Sequence, residues 1–419
     1  MNSPDSSNLN SALFVGQVDD SELSSILLRH FQYSYGQSDE VIFHRRSDLW
    51  AIKLIFAAAK IASAVAGPGL KPEDVSVLSD KIRGNLVEPS KLRAARCILF
   101  SSYRVTGKFS YGKKLSLFPL PDHAPKAPDL KEEERFSENP TIQHPFIAEF
   151  PIRESADQLI AILRLQGETR KYALLLNVFL EGGVSRPLRE KRRRHWVHDG
   201  NRKSPSVYLQ EDYRYPGFAD MGPWFSRLDH IPLMETMRYP ECFSSPRQEF
   251  NAPLRVPLLL ATFLERFEGL CKPERERFLR AAFWLRHAED VWLESTSAAY
   301  LAIINCIEVL LPPRNDRRKD RSAKSRTKQF IEFLNENAPA YSEDTAERQK
   351  IYKIRSDLTH GWDLFYSDME AYVGINPRIG TESQSRFLAK HLACVALLNW
   401  LMRATGGWPH DPQPQRDSA

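Results

Sequence analysis

An arginine and a histidine with four residues between them, Arg355 and His360, form the arrangement in this chain best suited to chemistry. They stand in the run YKIRSDLTHG, which begins at Tyr352 and ends at Gly361. A guanidinium binds phosphate through parallel hydrogen bonds, and an imidazole accepts or donates a proton near neutral pH. The pair could therefore bind a phosphodiester, with the histidine moving a proton and the arginine stabilising a pentacoordinate phosphorus.

The run is predicted to end a helix over residues 344–359, because Gly361 suits the left-handed position that follows a helix. A histidine at this end faces unpaired carbonyl groups and the negative end of the helix dipole, which favours its protonated form. Five residues of regular helix correspond to about 140° of rotation, so the two side chains would not share a face. They could converge where the helix unwinds before the glycine, or if a second protomer completes the site.

The spacing alone is weak evidence, because three of the eleven histidines have an arginine five positions before them. The other two pairs are Arg193/His198, in a predicted loop, and Arg386/His391, inside a predicted regular helix. The pair Arg386/His391 lacks a glycine that would end the helix beside the histidine. The context of Arg355 and His360 is what singles them out.

Length and composition indicate a globular chain of two or three domains. It has 419 residues, of which 42% are hydrophobic and 26% charged, and its formal net charge of +5 permits nucleic acid as a partner without requiring it. Five widely spaced cysteines without a CxxC pair argue against a zinc site or a disulfide scaffold and fit a cytoplasmic protein. We interpret Cys306 and Cys394 as buried structural thiols.

Two features bear on targeting. The N-terminus lacks the basic start and apolar core of a signal peptide. The apolar stretch 49–66 could be mistaken for a membrane span, but Lys53 and Lys60 lie seven residues apart, on one stripe of a helix. We therefore predict that this stretch is an amphipathic core helix, and we expect no membrane association.

Residues 1–250 are predicted to form an α+β region that serves as a sensor or targeting module. Helices are expected at 19–30, 49–66, from Pro72 onwards and at 155–165, and a surface loop is expected at 119–140. Strands are expected at 97–100, 103–109, 114–118, 145–152 and 172–180, the last as a central strand because it is almost wholly apolar.

The most basic run of the chain, residues 186–203, lies in this region and includes Arg192, Arg193 and Arg194. One interpretation is a solvated loop. The other is an arm that contacts phosphates, with Trp196 or His195 stacking on a base. The residues leave both interpretations open.

Helical periodicity dominates residues 255–405, which we predict to form an all-α bundle, followed by a disordered tail at 406–419. Helices are predicted at about 255–270, 273–294, 296–311, 325–337, 344–359 and 382–404. The third is apolar nearly all round and should occupy the centre, yet it carries Asn305 and Glu308 on one face. A basic linker with Arg317, Arg318 and Lys319 follows and is a second candidate for binding nucleic acid.

Residues 273–405 resemble the HEPN superfamily, in particular its ApeA-like group. Three features carry the resemblance: the helix AAYLAIINCIEVLL with its internal acidic Glu308, the basic linker followed by TKQFIEFLNENAP, and YKIRSDLTHG. The last is similar to the family pattern of Tyr, two residues, Arg-Ser, three residues and His-Gly. The resemblance covers about a third of the chain, and residues 1–250 resemble no family that we can name.

The resemblance implies a helical bundle, often dimeric, whose active members are metal-independent ribonucleases without a cofactor. In such enzymes the ribose 2′-hydroxyl attacks the adjacent phosphate and leaves a 2′,3′-cyclic phosphate. RNA is then the expected substrate, a homodimer through the bundle the expected assembly, and prokaryotic antiviral defence or toxicity the expected role.

Carried onto this sequence, the resemblance makes His360 the acid/base and Arg355 the group that stabilises the phosphate, with Glu308 orienting one of them. Supporting roles fall to three further positions: Asn305 would assist, Ser356 would hydrogen-bond the phosphate, and Tyr352 would be a packing residue with a polar tip. Asp357 and Trp362 are assigned to packing or to a solvated face.

The alternative is a non-catalytic module for dimerisation or nucleic-acid binding. Some members of the family keep the bundle without activity, and a buried charge such as that of Arg355 needs a partner whether or not it is catalytic. A different enzyme in the N-terminal half is a third possibility, but residues 1–250 contain no glycine-rich phosphate loop, HExxH, GxSxG or paired-cysteine motif.

Overall fold

The chain is an α+β protein. The computed structural model describes residues 6–37, 39–45, 49–58, 60–88, 91–101, 103–121, 144–180, 195–198, 207–210, 225–237, 253–292, 294–312, 325–339, 345–369 and 377–408. These residues form two compact units, the first drawn from Met1–Ala95, Phe150–Glu168 and Asp220–Phe225, the second from Arg96–Glu149, Thr169–Ala219 and Ser226–Ala419. The predicted domain boundary after residue 250 and the predicted disorder of the tail beyond residue 408 lie outside the described residues.

The first unit contains a four-stranded antiparallel sheet in the order β1-β2-β3-β4. Its strands are β1 (Tyr33–Gln37), β2 (Glu40–His44), β3 (Trp50–Ala57) and β4 (Lys60–Ala66), and its helices include α1 (Ser6–Ala12), α2 (Asp20–Phe31) and α3 (Pro72–Ile82), which continues into a wider turn at Arg83–Val87. The prediction of α2 is confirmed, and Asp19 caps it by accepting hydrogen bonds from the backbone of Ser21 and Glu22.

The predicted helix at 49–66 is wrong, because this stretch forms the hairpin of β3 and β4. Burial follows the two-residue period of strands: Ile52 and Leu54 are fully buried, whereas Lys53 between them reaches Glu40 on the neighbouring strand at 2.9 Å. Ala58 at the turn has φ +50°. Lys53 therefore faces outward because of the alternation along β3, and Lys60 lies at the start of β4, just after the hairpin turn. The two lysines do not form one helical stripe.

A second sheet consists of β5 (Leu92–Ser101), β6 (Phe109–Tyr111), β7 (Leu115–Pro119) and β8 (His144–Arg153). The order of the strands in this sheet is β5-β8-β7-β6. The strands predicted at 97–100, 114–118 and 145–152 are confirmed, and that at 103–109 is wrong apart from its last residue. The central strand predicted at 172–180 is also wrong, because helix α4 spans Gln158–Phe179. Residues 172–179 are buried on every side, and a short apolar run of this kind does not distinguish a strand from a buried helix.

The remaining strands are short: β9 (His195–His198) pairs with β10 (Val207–Gln210), and β11 (Thr236–Met237) pairs with β12 (Val256–Pro257). The helical bundle of the second unit begins after β12. Its helices are α5 (Leu260–Gly269), α6 (Lys272–Val291), α7 (Thr296–Glu308), α8 (Arg326–Asn337), α9 (Thr345–Thr359), α10 (Tyr366–Met369) and α11 (Pro377–Ala404).

The bundle confirms the predicted helices and adds the short α10, except that the helix predicted from residue 255 begins at Leu260 because Val256–Pro257 form β12. Helix α7 lies at its centre, as predicted, and packs against α6, α9, α10 and α11. Cys306 on α7 and Cys394 on α11 are buried, and burial raises the pKa of the Cys306 thiol well above its usual range. The buried hydroxyl of Tyr300 donates to the carbonyl of Ile351 at 3.0 Å, which fixes α7 against α9.

Candidate active site at the end of helix α9

Helix α9 ends at the Arg–His motif in a Schellman arrangement. Gly361 has φ +69°, its N–H donates to the carbonyl of Leu358, and the N–H of Trp362 donates to the carbonyl of Asp357. A Cβ at Gly361 would meet no atom within 4 Å, so glycine is favoured here by backbone conformation and not by space. The sequence prediction of a left-handed glycine after the helix is confirmed.

Glu308, on α7, joins two side chains of the motif. Its Oε2 accepts from Arg355 at 3.0 Å and its Oε1 accepts from the hydroxyl of Tyr352, also at 3.0 Å. The side chains of Arg355 and Glu308 are 24% and 15% exposed, so water reaches the edge of the ion pair. The Nε of Arg355 is buried and has no hydrogen-bond acceptor. The carboxylate thus fixes one amino group of the guanidinium, as expected for an orienting acid.

Tyr352 is a packing residue whose polar tip belongs to the network, since its hydroxyl donates to Glu308. It is buried, its ring lies 4.9 Å from that of Phe330 between centroids, and the guanidinium of Arg355 lies 5.6 Å from its ring centre. Burial raises the pKa of the Tyr352 hydroxyl, and the neighbouring negative charge of Glu308 raises it further. Tyr352 therefore remains a neutral donor to Glu308 at physiological pH.

His360 lies apart from this network. Its backbone N–H still donates to the carbonyl of Ser356 at 3.0 Å, so the helix does not unwind before the histidine. Its exposed ring stacks on the indole of Trp362, with centroids 5.0 Å apart and planes at 27°. Within the described residues no hydrogen bond or ion pair joins Arg355 to His360. The convergence expected from an unwound helix end is not seen, and completion of the site by a second protomer stays a prediction.

The other predicted site residues fall into two groups. Asn305 and Ser356 are half-buried near the network, and neither side chain hydrogen-bonds to a described residue. The six predicted nucleic-acid contacts lie outside the described part of the chain: Arg192, Arg193, Arg194, Arg317, Arg318 and Lys319.

The sequence analysis missed Arg326, which holds the ends of the basic linker beside Glu308. It donates to the carbonyl of Glu308 at 2.8 Å and to that of Pro312 at 2.9 Å. The linker leaves the described chain after Pro312 and re-enters it at Ser325, so both of its ends lie next to the network. Arg326 is the first residue of α8 and directly follows the basic run, and this position was the signal that the sequence offered.

Asp368, on α10, was missed as well. Its carboxylate accepts from the backbone N–H groups of Thr296 and Ser297, at 2.6 and 2.8 Å, and from the hydroxyl of Ser295 at 2.8 Å. These groups form the N-terminus of α7, which Ser295 also caps through Ala298 as predicted. No local pattern indicates a cap supplied from seventy positions along the chain.

A cavity of about 180 Å³ lies on the far side of the same helix end. It is lined by Ile354 and Leu358 of α9, by Arg378 and Glu382 of α11, and by Phe365 from the segment before α10. Arg355, Glu308 and His360 do not line it, so the candidate site is an exposed helix end and not a deep pocket. Among the described residues, no His, Cys, Asp and Glu side chains form a group of three or more able to hold a metal ion.

Comparison of the chain with family models, with curated proteins and with solved structures gives no match. The resemblance to the HEPN superfamily thus rests on the residues named above. Of the described helices, Arg378–Ala404 is long and apolar enough to cross a membrane, but 50% of its apolar window is buried inside the protein, as in the core helix of a globular domain. This is weak evidence for a membrane span.

Proposed function

We propose that the chain is a metal-independent endoribonuclease whose active site is the exposed end of α9. The observation that carries the proposal is the arrangement around Glu308, which binds Arg355 and Tyr352 at 3.0 Å each and so fixes the guanidinium one turn before the exposed His360. A preorganised cation stabilises the developing charge of a transition state without reorganising. The exposed imidazole of His360, which stands apart from this ion pair in one protomer, can exchange protons with the substrate.

In the proposed reaction, a base takes the proton of the ribose 2′-hydroxyl and the oxygen attacks the adjacent phosphorus. The phosphorus passes through a pentacoordinate state, whose added negative charge Arg355 balances. The bond to the 5′-oxygen then breaks, and this oxygen takes up a proton. The products are a 2′,3′-cyclic phosphate and a 5′-hydroxyl end, and His360 supplies one of the two proton transfers.

The basic linker supports RNA as the substrate. Its ends are fixed beside Glu308 by Arg326, and its residues Arg314, Arg317, Arg318, Lys319, Arg321 and Lys324 outnumber the acidic Asp316 and Asp320. Clustered cations bind a nucleic-acid backbone by displacing its counterions. Pairing of two protomers would bring a second Arg355 and His360 to the site, so we propose a homodimer, acting in the cytoplasm in prokaryotic defence or as a toxin.

The test is cleavage of RNA in EDTA by wild type, His360→Ala and Arg355→Ala. The chain offers a matched control in Arg386 and His391, a pair with the same spacing inside α11, so His391→Gln and Arg386→Gln should retain activity. We expect cleavage by wild type and by both control variants, and at least a hundredfold loss, about 2.7 kcal/mol of transition-state stabilisation, in His360→Ala and Arg355→Ala. Equal cleavage by all five proteins would contradict the proposal.

A second candidate function is a non-catalytic binding module. The observation that favours it is that Arg355 is already paired with Glu308, while His360 makes no contact with either. A half-buried ion pair with a tyrosine donor is also what a purely structural link between α7 and α9 would look like. This function predicts that wild type binds RNA or forms a dimer but cleaves no RNA under any condition.

A further inference from the structure

The two edges of the sheet in the first unit differ in how their backbone groups are satisfied. The edge strands are β1 and β4. Side chains of α1 and α2 close the edge of β4, because the N–H of Ala64 donates to Asn10 at 2.7 Å and that of Ile61 donates to Asp20 at 3.2 Å. No described residue closes the edge of β1 in this way.

The backbone groups that point outward from β1 belong to Ser34 and Gly36. Gln37 pairs with Glu40 across only two residues of sequence, and residues that flank such a loop exchange backbone hydrogen bonds. Hydrogen-bonded and non-hydrogen-bonded positions alternate along the ladder, so Tyr35 bonds to β2 while Ser34 and Gly36 turn their N–H and C=O groups away from it. Both residues are exposed, and neither group has a partner in the described part of the chain.

Strand β1 also lacks the features that ordinarily protect an open edge, which are lysine, proline or a bulge. Its sequence, YSYGQ, has no charged residue and no proline, and its pairing with β2 runs from Tyr33 to Gln37 without a shift of register. The side chain of Tyr35 is 50% exposed. An unprotected edge of this kind is a template for one further strand.

We propose that the edge of β1 pairs with β1 of a second copy of the chain, antiparallel, so that two four-stranded sheets continue as one. The inference goes beyond the proposed ribonuclease function and does not rest on it, because every residue involved lies in the first unit.

The sequence of β1 is complementary to itself. About a two-fold axis at Tyr35, Ser34 of each copy lies opposite Gly36 of the other, and all the outward backbone groups find partners. Tyr35 then lies beside its own copy at a non-hydrogen-bonded position, where side chains approach most closely and aromatic pairs are favourable. A two-fold axis sets like residues against each other, so a charged strand would repel its copy, whereas β1 carries no charge.

The two ends of the hairpin differ in charge in a way that fits antiparallel pairing. At the turn, Asp39 is exposed and forms no ion pair with a described residue. At the open end, the side chain of Arg45 is 46% exposed and uses one nitrogen to bind Asp74. Antiparallel pairing sets the acidic end of each hairpin beside the basic end of the other, which favours the correct orientation.

Pairing through one short strand gives a small interface. The five residues of β1 bury far less than the roughly 1,600 Å² of a standard protein complex. We therefore expect reversible association with a Kd on the order of micromolar, which depends strongly on the chain concentration.

The experiment is sedimentation equilibrium of the full-length chain over a range of micromolar concentrations. Ser34→Pro removes an outward N–H and leaves the hydrogen bonds to β2 in place, since proline is tolerated at such positions of an edge strand. Tyr35→Lys and Tyr35→Glu each place like charges opposite one another at the two-fold axis. Ala62→Lys is the matched control, because Ala62 is exposed on β4, whose edge is closed.

We expect Ser34→Pro, Tyr35→Lys and Tyr35→Glu each to weaken self-association at least about tenfold, and Ala62→Lys to associate as wild type does. An equimolar mixture of Tyr35→Lys and Tyr35→Glu should associate more tightly than either variant alone, because opposite charges then face each other. Only pairing of β1 with its own copy predicts this recovery.

Unchanged self-association in Ser34→Pro overturns the inference, and so does a mixture that associates no more tightly than its components. A wild type that is monomeric over the whole range overturns it as well. Pairing through the helical bundle would persist in every variant as a constant background. Failure of the ribonuclease proposal shows separately, as equal cleavage by wild type and His360→Ala.

Discussion

Asp368→Asn tests how the segment that follows the motif is fixed. The carboxylate accepts three hydrogen bonds from the N-terminus of α7, and the side chain is half-buried. Burial by itself raises the pKa of the Asp368 carboxyl, but the hydrogen bonds from Ser297, Ser295 and Thr296 outweigh it, so the pKa is lowered overall. The charged form is therefore the one that stabilises the fold.

The magnitude follows from these contacts. Asparagine keeps one acceptor oxygen and loses the charge, so about two of the three hydrogen bonds are lost or weakened. A hydrogen bond to a charged group contributes about 1.5–3 kcal/mol, and the partial exposure of Asp368 places the total near 2–3 kcal/mol. In a unit of this size that lowers the Tm by roughly 5–10 °C.

Thermal unfolding, followed by tryptophan fluorescence at several pH values, measures the loss of stability in Asp368→Asn and the direction in which this loss changes with pH. A carboxyl whose folded pKa is lowered stabilises above its unfolded pKa of about 3.9 and loses this contribution as the pH falls through the folded pKa. The gap between wild type and Asp368→Asn should therefore be full at pH 7 and shrink below about pH 4.

Asp363→Asn is the matched control for this measurement. Its carboxylate is 61% exposed and lies 3.9 Å from Arg378, so we expect a change of less than about 0.5 kcal/mol. Equal stability of Asp368→Asn and wild type at pH 7 would refute the reasoning. So would a gap that stays constant down to about pH 3, which would show that the charge is not what stabilises the contact.

Two further substitutions test the motif itself. Tyr352→Phe removes the hydroxyl that donates to Glu308 and should cost about 1.5–2 kcal/mol in chemical unfolding, whereas Tyr366→Phe, whose hydroxyl binds no described residue, should cost almost nothing; equal costs would contradict the role given to Tyr352. Gly361→Ala should cost about 1–2 kcal/mol because of its φ of +69°, whereas Gly380→Ala, inside α11, should be neutral or stabilising by up to about 1 kcal/mol; a stabilising Gly361→Ala would show that the left-handed turn is not required.

The sequence predicts those parts of the fold whose causes are local. Ser295 before α7 and Gly361 after α9 mark helix ends through hydrogen bonds with residues a few positions away, and both predictions are confirmed. The stretches 49–66 and 172–180 were exchanged between strand and helix, because the first joins two apolar strands through a tight turn at Ala58 and the second is a short, almost wholly apolar run. What covers such a run on each side is decided by distant segments.

The candidate site likewise contains residues that the sequence identifies and residues that it does not. Glu308 and Arg355 stand out by residue type and by the resemblance, and the structure brings them together at 3.0 Å. Arg326 and Asp368 act through contacts across the bundle, and no local sequence pattern around them indicates these contacts. On a regular helix Arg355 and His360 are expected to be offset by about 140° around the axis. This offset applies to the structure as well, because the helical hydrogen bonds continue through His360.

The chemistry of the cleaved ends tests the central claim most directly. An RNA with a single 2′-deoxy substitution at a mapped cleavage position is incubated in EDTA beside its unmodified counterpart, with wild type and with His360→Ala. We predict that wild type leaves 2′,3′-cyclic phosphate and 5′-hydroxyl ends on the unmodified RNA, spares the substituted position, and loses this cleavage in His360→Ala. Products with 3′-hydroxyl and 5′-phosphate ends, or cleavage at the 2′-deoxy position, would contradict an attack by the 2′-hydroxyl at this site.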